Sequence, residues 1–365
     1  MIAGRASAED SRAFAGRSAV APGHFREVQG LTLSSLGLGT YLGAEDAATD
    51  HGYEECAAIA LASGVNVFDS AINYRGQRSE RAIGRALAAA FASGAARRGE
   101  VFVSTKGGYL PHDAEDPRPP RAYIVETFLD SGLAPRAEVV RGGHCLAPGY
   151  LRDQIARSRR NLGLETIDLY YLHNVETQRA AVGAEAFAGR LRAAIEVLED
   201  EVSRGAIARW GLATWDGLRA PPEHPEHLSI VEMARLAAEV AGSRHHFFGV
   251  QLPVNLAMPE AIAYPSQLSP SGRVPALEAA REMGLAAFGS ASILQGRLAA
   301  PLPEEIEEAF ASASAGACRA LQFSRSAPGM TASLVGVSTP AHAREDFALA
   351  KVAPADPEAV LALFT

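Results

Sequence analysis

From about residue 33 the chain alternates short apolar runs with longer amphipathic, alanine-rich stretches. The runs Ser35–Gly39, Val65–Asp69, Val101–Thr105, Ile167–Leu172, Ile207–Ala213, Phe247–Leu252, Leu285–Gly289 and Ala332–Val337 have the length and the β-branched or aromatic content of strands. Helices are expected between and after them, at Tyr53–Ser63, Glu80–Ala92, Tyr150–Leu162, Phe187–Arg204, Leu228–Ala241, Pro275–Met283, Cys318–Ser326 and Ala341–Ala350. Strand followed by helix, repeated eight times, predicts an α/β fold with a parallel sheet. A doubly wound open sheet shares this alternation. Eight units, and the lack of a Gly-x-Gly-x-x-Gly turn after the first strand, favour a (β/α)8 TIM barrel.

Two segments interrupt the rhythm. Residues 109–149 carry Pro111, Asp116, Pro117, Pro119 and Pro120, with a helical patch near Tyr123–Leu129; residues 255–274 carry Pro259, Pro265 and Pro270. Both follow strands, so both are expected on the face where barrel active sites form, shaping a substrate pocket or a partner contact. The expected organisation is one barrel domain over 33–350, an N-terminal extension over 1–32 and a C-terminal extension over 351–365. Within the last, Asp356–Phe364 reads as a short amphipathic helix closing the barrel.

A net charge of −8, with no basic stretch interleaved with aromatics, argues against nucleic-acid binding. Three widely separated cysteines, Cys56, Cys145 and Cys318, make no disulfide framework and favour a reducing compartment. Met1–Arg26 lacks the apolar core of a signal peptide, and no run reaches the roughly 18 apolar residues of a membrane span. A cytoplasmic protein without membrane contact is the expectation; oligomeric state stays open.

Lysine is rare here: Lys106 and Lys351 are the only two among 34 basic residues. Lys106 ends the run Val101-Phe102-Val103-Ser104-Thr105, at the C-terminal lip of a strand. Unlike guanidinium, an ammonium changes its pKa on burial, which suits it to catalysis or cofactor binding. Asp69 ends another run, Tyr74 follows it closely, and His173 ends Leu169-Tyr170-Tyr171-Leu172. Each has a plain reading as well: a helix cap for Asp69, a pocket wall for Tyr74, a core histidine for His173. In a barrel all four converge at one mouth.

These residues and their surroundings resemble the aldo-keto reductase family, within it a bacterial branch with a long insertion after the third strand. The matching pieces are Leu38-Gly39-Thr40, Val67-Phe68-Asp69-Ser70-Ala71-Ile72-Asn73-Tyr74, Ser79-Glu80, Ile83-Gly84, Val103-Ser104-Thr105-Lys106 and Asp168-Leu169-Tyr170-Tyr171-Leu172-His173-Asn174. The resemblance implies hydride transfer between NADPH, with NADH possible, and a small carbonyl substrate. Tyr74 would be the proton donor, Lys106 and Asp69 would tune it, and His173 would orient the carbonyl. A free phenol, with pKa near 10, donates poorly at neutral pH, and a nearby ammonium would lower that value.

The resemblance also assigns cofactor contacts to Thr40, Asp69, Thr214, Gln251, Ser290, Arg297, Ser338, His342, Glu345 and Asp346. Several depart from the family pattern. Ala213-Thr214 replaces Ser-Asn, Ser290 occupies the place of a stacking tyrosine, and Asp346 replaces an asparagine. No basic residue stands at Ser338 or His342 to grip a 2′-phosphate. Trp215 could offer a substitute aromatic surface, Ser338 and Thr339 an anion site, and Arg297 either a pyrophosphate contact or a solvated charge.

Two other functions fit parts of the pattern: a Schiff-base lyase using the Lys106 amine, and a reductase-like barrel that senses cofactor as a binding partner with little turnover. Gly142-Gly143-His144-Cys145, with His112 and Asp113 upstream, matches no standard zinc spacing and reads as a packed loop, so no metal is expected. Thr177 and Gln178, after His173, are expected to wall the pocket.

Overall fold

The computed structural model describes residues 1–364 apart from Ala315. Eight parallel strands close into a barrel in sequential order. They are β1 (Leu36–Gly39), β2 (Val67–Asp69), β3 (Phe102–Gly107), β4 (Leu169–His173), β5 (Trp210–Ala213), β6 (Phe247–Pro253), β7 (Ala286–Ser290) and β8 (Ala332–Gly336). Around them run α1 (Ala47–Ala62), α2 (Arg78–Ser93), α3 (Pro148–Leu162), α4 (Ala184–Ser203), α5 (Ile230–Ala241), α6 (Ala276–Glu282), α7 (Ala317–Ser326) and α8 (Pro340–Ala348). The expected (β/α)8 barrel is the fold observed.

The strands are buried on both faces, which is why they read as near-continuous apolar runs. Their outward side chains pack under the helices; inward ones such as Val67, Phe102, Leu169, Tyr171, Phe248 and Phe288 fill the barrel. Where β5 meets β6 the register shifts between Trp210 and Gly211. A Cβ on Gly211 would lie 2.4 Å from the Gly249 carbonyl oxygen, so only glycine admits this close approach.

The N-terminal mouth is sealed by an antiparallel hairpin, Phe25–Val28 with Leu31–Ser34. Leu31 and Leu33 join the barrel's interior cluster, and Arg26 donates to the backbone carbonyls of Arg325, Met330 and Thr331. Buried Asp168 ties the chain's start to the barrel. It accepts from the backbone N–H of Ala6 at 2.6 Å and of Val103 at 2.8 Å, and pairs with Arg98 at 2.8 Å. The last helix therefore does not close the barrel as expected: Pro357–Leu361 and the turn after it pack outside, where Phe364 meets Phe323 of α7. That mouth is already filled by the hairpin, and Val360 and Phe364 find their apolar contacts on the helical layer.

The two insertions each carry local structure of their own, the first with the expected helical patch. In 109–149, a short helix Pro120–Ile124 widens into a π-turn over Val125–Leu129. Its Tyr123 and Phe128 pack with Cys145 and Tyr150 in a separate apolar cluster. In 255–274, the helix Glu260–Ala263 precedes a small hairpin, and Gln267 donates to the Leu218 and Leu228 carbonyls. No helix among the described residues is long and apolar enough to cross a membrane.

Candidate active site

The open C-terminal mouth holds a cavity of about 490 Å³, lined from β1, β2, β4 to β8 and the loops that follow them. Alternation along β2 and β3 turns Asp69 and Lys106 into the barrel above its apolar filling. There Lys106 Nζ lies 2.5 Å from Asp69 Oδ2 and donates to the Ser70 carbonyl at 2.8 Å. Asp69 Oδ1 accepts from Ser104 at 2.7 Å and from Gln251 Nε2 at 2.9 Å. The carboxylate on β2 thus has partners from two other strands, β3 and β6, which sets its position and that of the ammonium.

Tyr74 stands in the turn after β2, its ring centroid 4.9 Å from Lys106 Nζ. Tyr41 meets its ring edge-on at 5.0 Å, and His173 does so at 6.0 Å. The structure therefore gathers Asp69, Tyr74, Lys106 and His173 at one place. Burial and the neighbouring Asp69 push the Tyr74 phenol well above its ordinary value. Burial also lowers Lys106, opposed by Asp69, and holds His173 well below the usual histidine range. In place of the expected lowering by the ammonium, desolvation in the closed barrel, with Asp69 next, raises the phenol. A protonated phenol and a neutral imidazole face the cavity at pH 7.

Of the cofactor candidates, Thr40, Thr214, Gln251 and Ser290 line this cavity with Asp69. Ser338, His342, Glu345 and Asp346 line a second one of about 680 Å³. The two share Leu42, Ile293, Gln295 and Gly336, so they form one continuous groove. Arg297 is exposed and outside both linings.

Several contributors escaped the sequence reading. Tyr109, near the lip of β3, lies edge-on to His173 at 5.2 Å and to His144 at 5.0 Å. His144 Nε2 is 2.6 Å from the His173 carbonyl oxygen. The loop histidine thus fastens the backbone of the site histidine. Thr177 and Gln178 do not wall the pocket as expected: Gln178 turns into the insertion and donates to the His144 carbonyl at 2.9 Å. A buried carbonyl needing a donor captures it. Nor does 255–274 reach the cavity; residues 290–295, after β7, line it instead.

Glu176 is a further buried group at the rim. Its Oε1 accepts from the backbone N–H of Trp215 at 2.6 Å and of Asp216 at 3.2 Å, holding the loop that carries Trp215 along the cavity. Burial pushes its carboxyl from 4.5 up to about 7. The native state then binds this proton more tightly than the unfolded chain. Its stabilisation is full below pH 4.5 and is lost as pH rises through about 7. Relative to Glu176→Gln, the wild type should therefore lose up to about 3 kcal/mol between those limits, at about 1.4 kcal/mol per pH unit of separation. Urea unfolding of both proteins across pH 4.5 to 8 measures it; a constant difference would rule the titration out.

The sequence pattern of the aldo/keto reductase family matches residues 35–220. The chain belongs to that family. Membership places it among the NAD(P)H-dependent oxidoreductases. No curated protein matches it. Among solved structures, an aldo-keto reductase from Klebsiella pneumoniae in complex with NADPH superposes with a TM-score of 0.60 at 19% identity, covering 92% of this chain and 91% of that one. An aldo/keto reductase from the same organism with NADP and acetate gives 0.62 at 18%, covering 94% and 96%. The holo form of aldo-keto reductase AKR11C1 from Bacillus halodurans gives 0.60 at 17%, covering 93% and 95%. At these identities the likeness is one of fold. The family match ends before β6, so the side chains that β6 to β8 bring to the groove are read from this chain's own geometry.

Proposed function

We propose that the protein reduces a small aldehyde or ketone to the alcohol, or oxidises the alcohol, with a nicotinamide dinucleotide as hydride carrier. The observation that carries this reading is the buried Lys106–Asp69 pair set beneath a protonated Tyr74, with neutral His173 beside it at a cavity floor.

The groove suits the cofactor. It is long and continuous, and Thr214 Oγ1 is buried without a hydrogen-bond partner among the described residues. Thr214 and Gln251 would hold the carboxamide; Ser338, His342, Glu345 and Asp346 would surround the adenosine end. Bound there, the nicotinamide supplies hydride to the carbonyl carbon. The chain's own residues do the rest. His173 has one N–H to donate to the carbonyl oxygen, fixing its orientation. Tyr74 Oη gives its proton to the same oxygen as charge develops on it. The Lys106 ammonium then stabilises the phenolate left behind, and Asp69 keeps the ammonium charged and in place.

The lyase alternative needs a carbonyl carbon at Lys106 Nζ. That side chain is 1% exposed, engaged by Asp69 and Ser70, and absent from the cavity lining. Titration calorimetry with NADPH and with NADH, followed by a panel of small aldehydes and ketones, tests the reading. Micromolar binding of one cofactor and its carbonyl-dependent consumption are expected; absence of binding by both would sink it.

A further inference from the structure

The second cavity is lined by three carboxylates, Glu307, Glu345 and Asp346, one imidazole, His342, and no arginine or lysine. Arg319 is engaged by the lining residue Glu307, and Arg297 and Arg344, which neighbour lining residues in sequence, are exposed and outside the lining. Asp346 is 4% exposed, and among the described residues neither of its carboxyl oxygens has a hydrogen-bond or ion-pair partner. Burial with Glu345 beside it raises its pKa to about 7. The side chain is buried but its oxygens are not sealed in, so they open onto the cavity, where a ligand that donates hydrogen bonds can reach them.

Resting on the hydride-transfer reading, we infer that this groove selects the dinucleotide without a 2′-phosphate, NAD(H), over NADP(H). With the nicotinamide near Tyr74, an extended dinucleotide passes Leu42 and Gln295 and brings its adenosine end into the second cavity. Ribose hydroxyls and the adenine amino group are donors, and carboxylates accept from them. A 2′-phosphate adds between one and two negative charges and demands cations in their place. Here it would meet the Glu345 carboxylate, and Asp346 in whatever fraction is ionised, in a part-buried site where like charges repel more strongly than in water and no cation lines the wall. This departs from the NADPH and NADP bound by the Klebsiella reductases.

Calorimetric titration of the full chain with NAD⁺ and NADP⁺ at one ionic strength tests it. NAD⁺ should bind at least about tenfold more tightly. The double variant Glu345→Arg, Asp346→Asn, which removes two acids and adds a cation, should shrink that ratio or reverse it. Equal or tighter binding of NADP⁺ to the wild type overturns the selectivity and leaves the hydride-transfer reading standing. A preference for NAD⁺ that the double variant leaves unmoved overturns the role of the carboxylates. Failure of both dinucleotides to bind at millimolar concentration removes the hydride-transfer reading, and the selectivity with it.

Discussion

Tyr74→Phe should lower the turnover number by about a thousandfold, within the range of 10² to 10⁴ that a positioned general acid supplies, while cofactor affinity stays within about twofold. The phenyl ring keeps the edge contacts with Tyr41 and His173 and the place above Lys106 Nζ. Only the proton and the oxygen that carries it are lost. Unfolding temperature should barely move, because among the described residues the deleted hydroxyl has no hydrogen-bond partner to leave stranded, and Tyr74 lines the cavity. Single-turnover kinetics with saturating cofactor separates the chemical step from binding. Turnover equal to wild type would mean another group protonates the carbonyl oxygen. The raised phenol pKa has a consequence for the wild type as well: the donor stays protonated throughout the neutral range, so the rate of carbonyl reduction should not fall through loss of this proton below about pH 10.

Much of this was legible in the sequence because it is local. Strand–helix alternation is written in short windows, and Asp69, Lys106 and His173 each sit where an apolar run ends, so the barrel carries them to one mouth. What stayed hidden depends on which strand ends up beside which. Gln251 on β6 reaches across the barrel to Asp69 on β2, a contact between residues far apart in sequence that no window contains. Tyr109 and His144 lie in a proline-rich insertion without periodicity, and their meeting with His173 is set by the packing of Tyr123, Phe128 and Tyr150 beneath them. The stretch between β7 and α7 walls both cavities with residues such as Ile293 and Gln295, of no distinctive chemistry. The direction of the Tyr74 shift is hidden for a related reason: sequence shows which charge is near, whereas burial, the larger influence here, is a property of the closed barrel.

Lys106→Met carries the other large effect, and it acts on stability and catalysis together. Lys106 and Asp69 are 1% and 4% exposed. Removing the ammonium strands a buried carboxylate, which costs about 3–5 kcal/mol when one partner of such a pair is deleted. Ser104 and Gln251 still donate to Asp69 Oδ1, so the lower end of that range is expected. The double variant Lys106→Met, Asp69→Asn removes the stranded charge and should recover most of the lost stability in urea unfolding. It should not recover activity, because the phenolate that Tyr74 leaves after giving up its proton then has no cation beneath it. Stability restored with the rate still depressed at least a hundredfold identifies the ammonium as part of the chemistry. Restoration of both would reduce the pair to a structural strut, and would shift the task of stabilising the developing charge to His173.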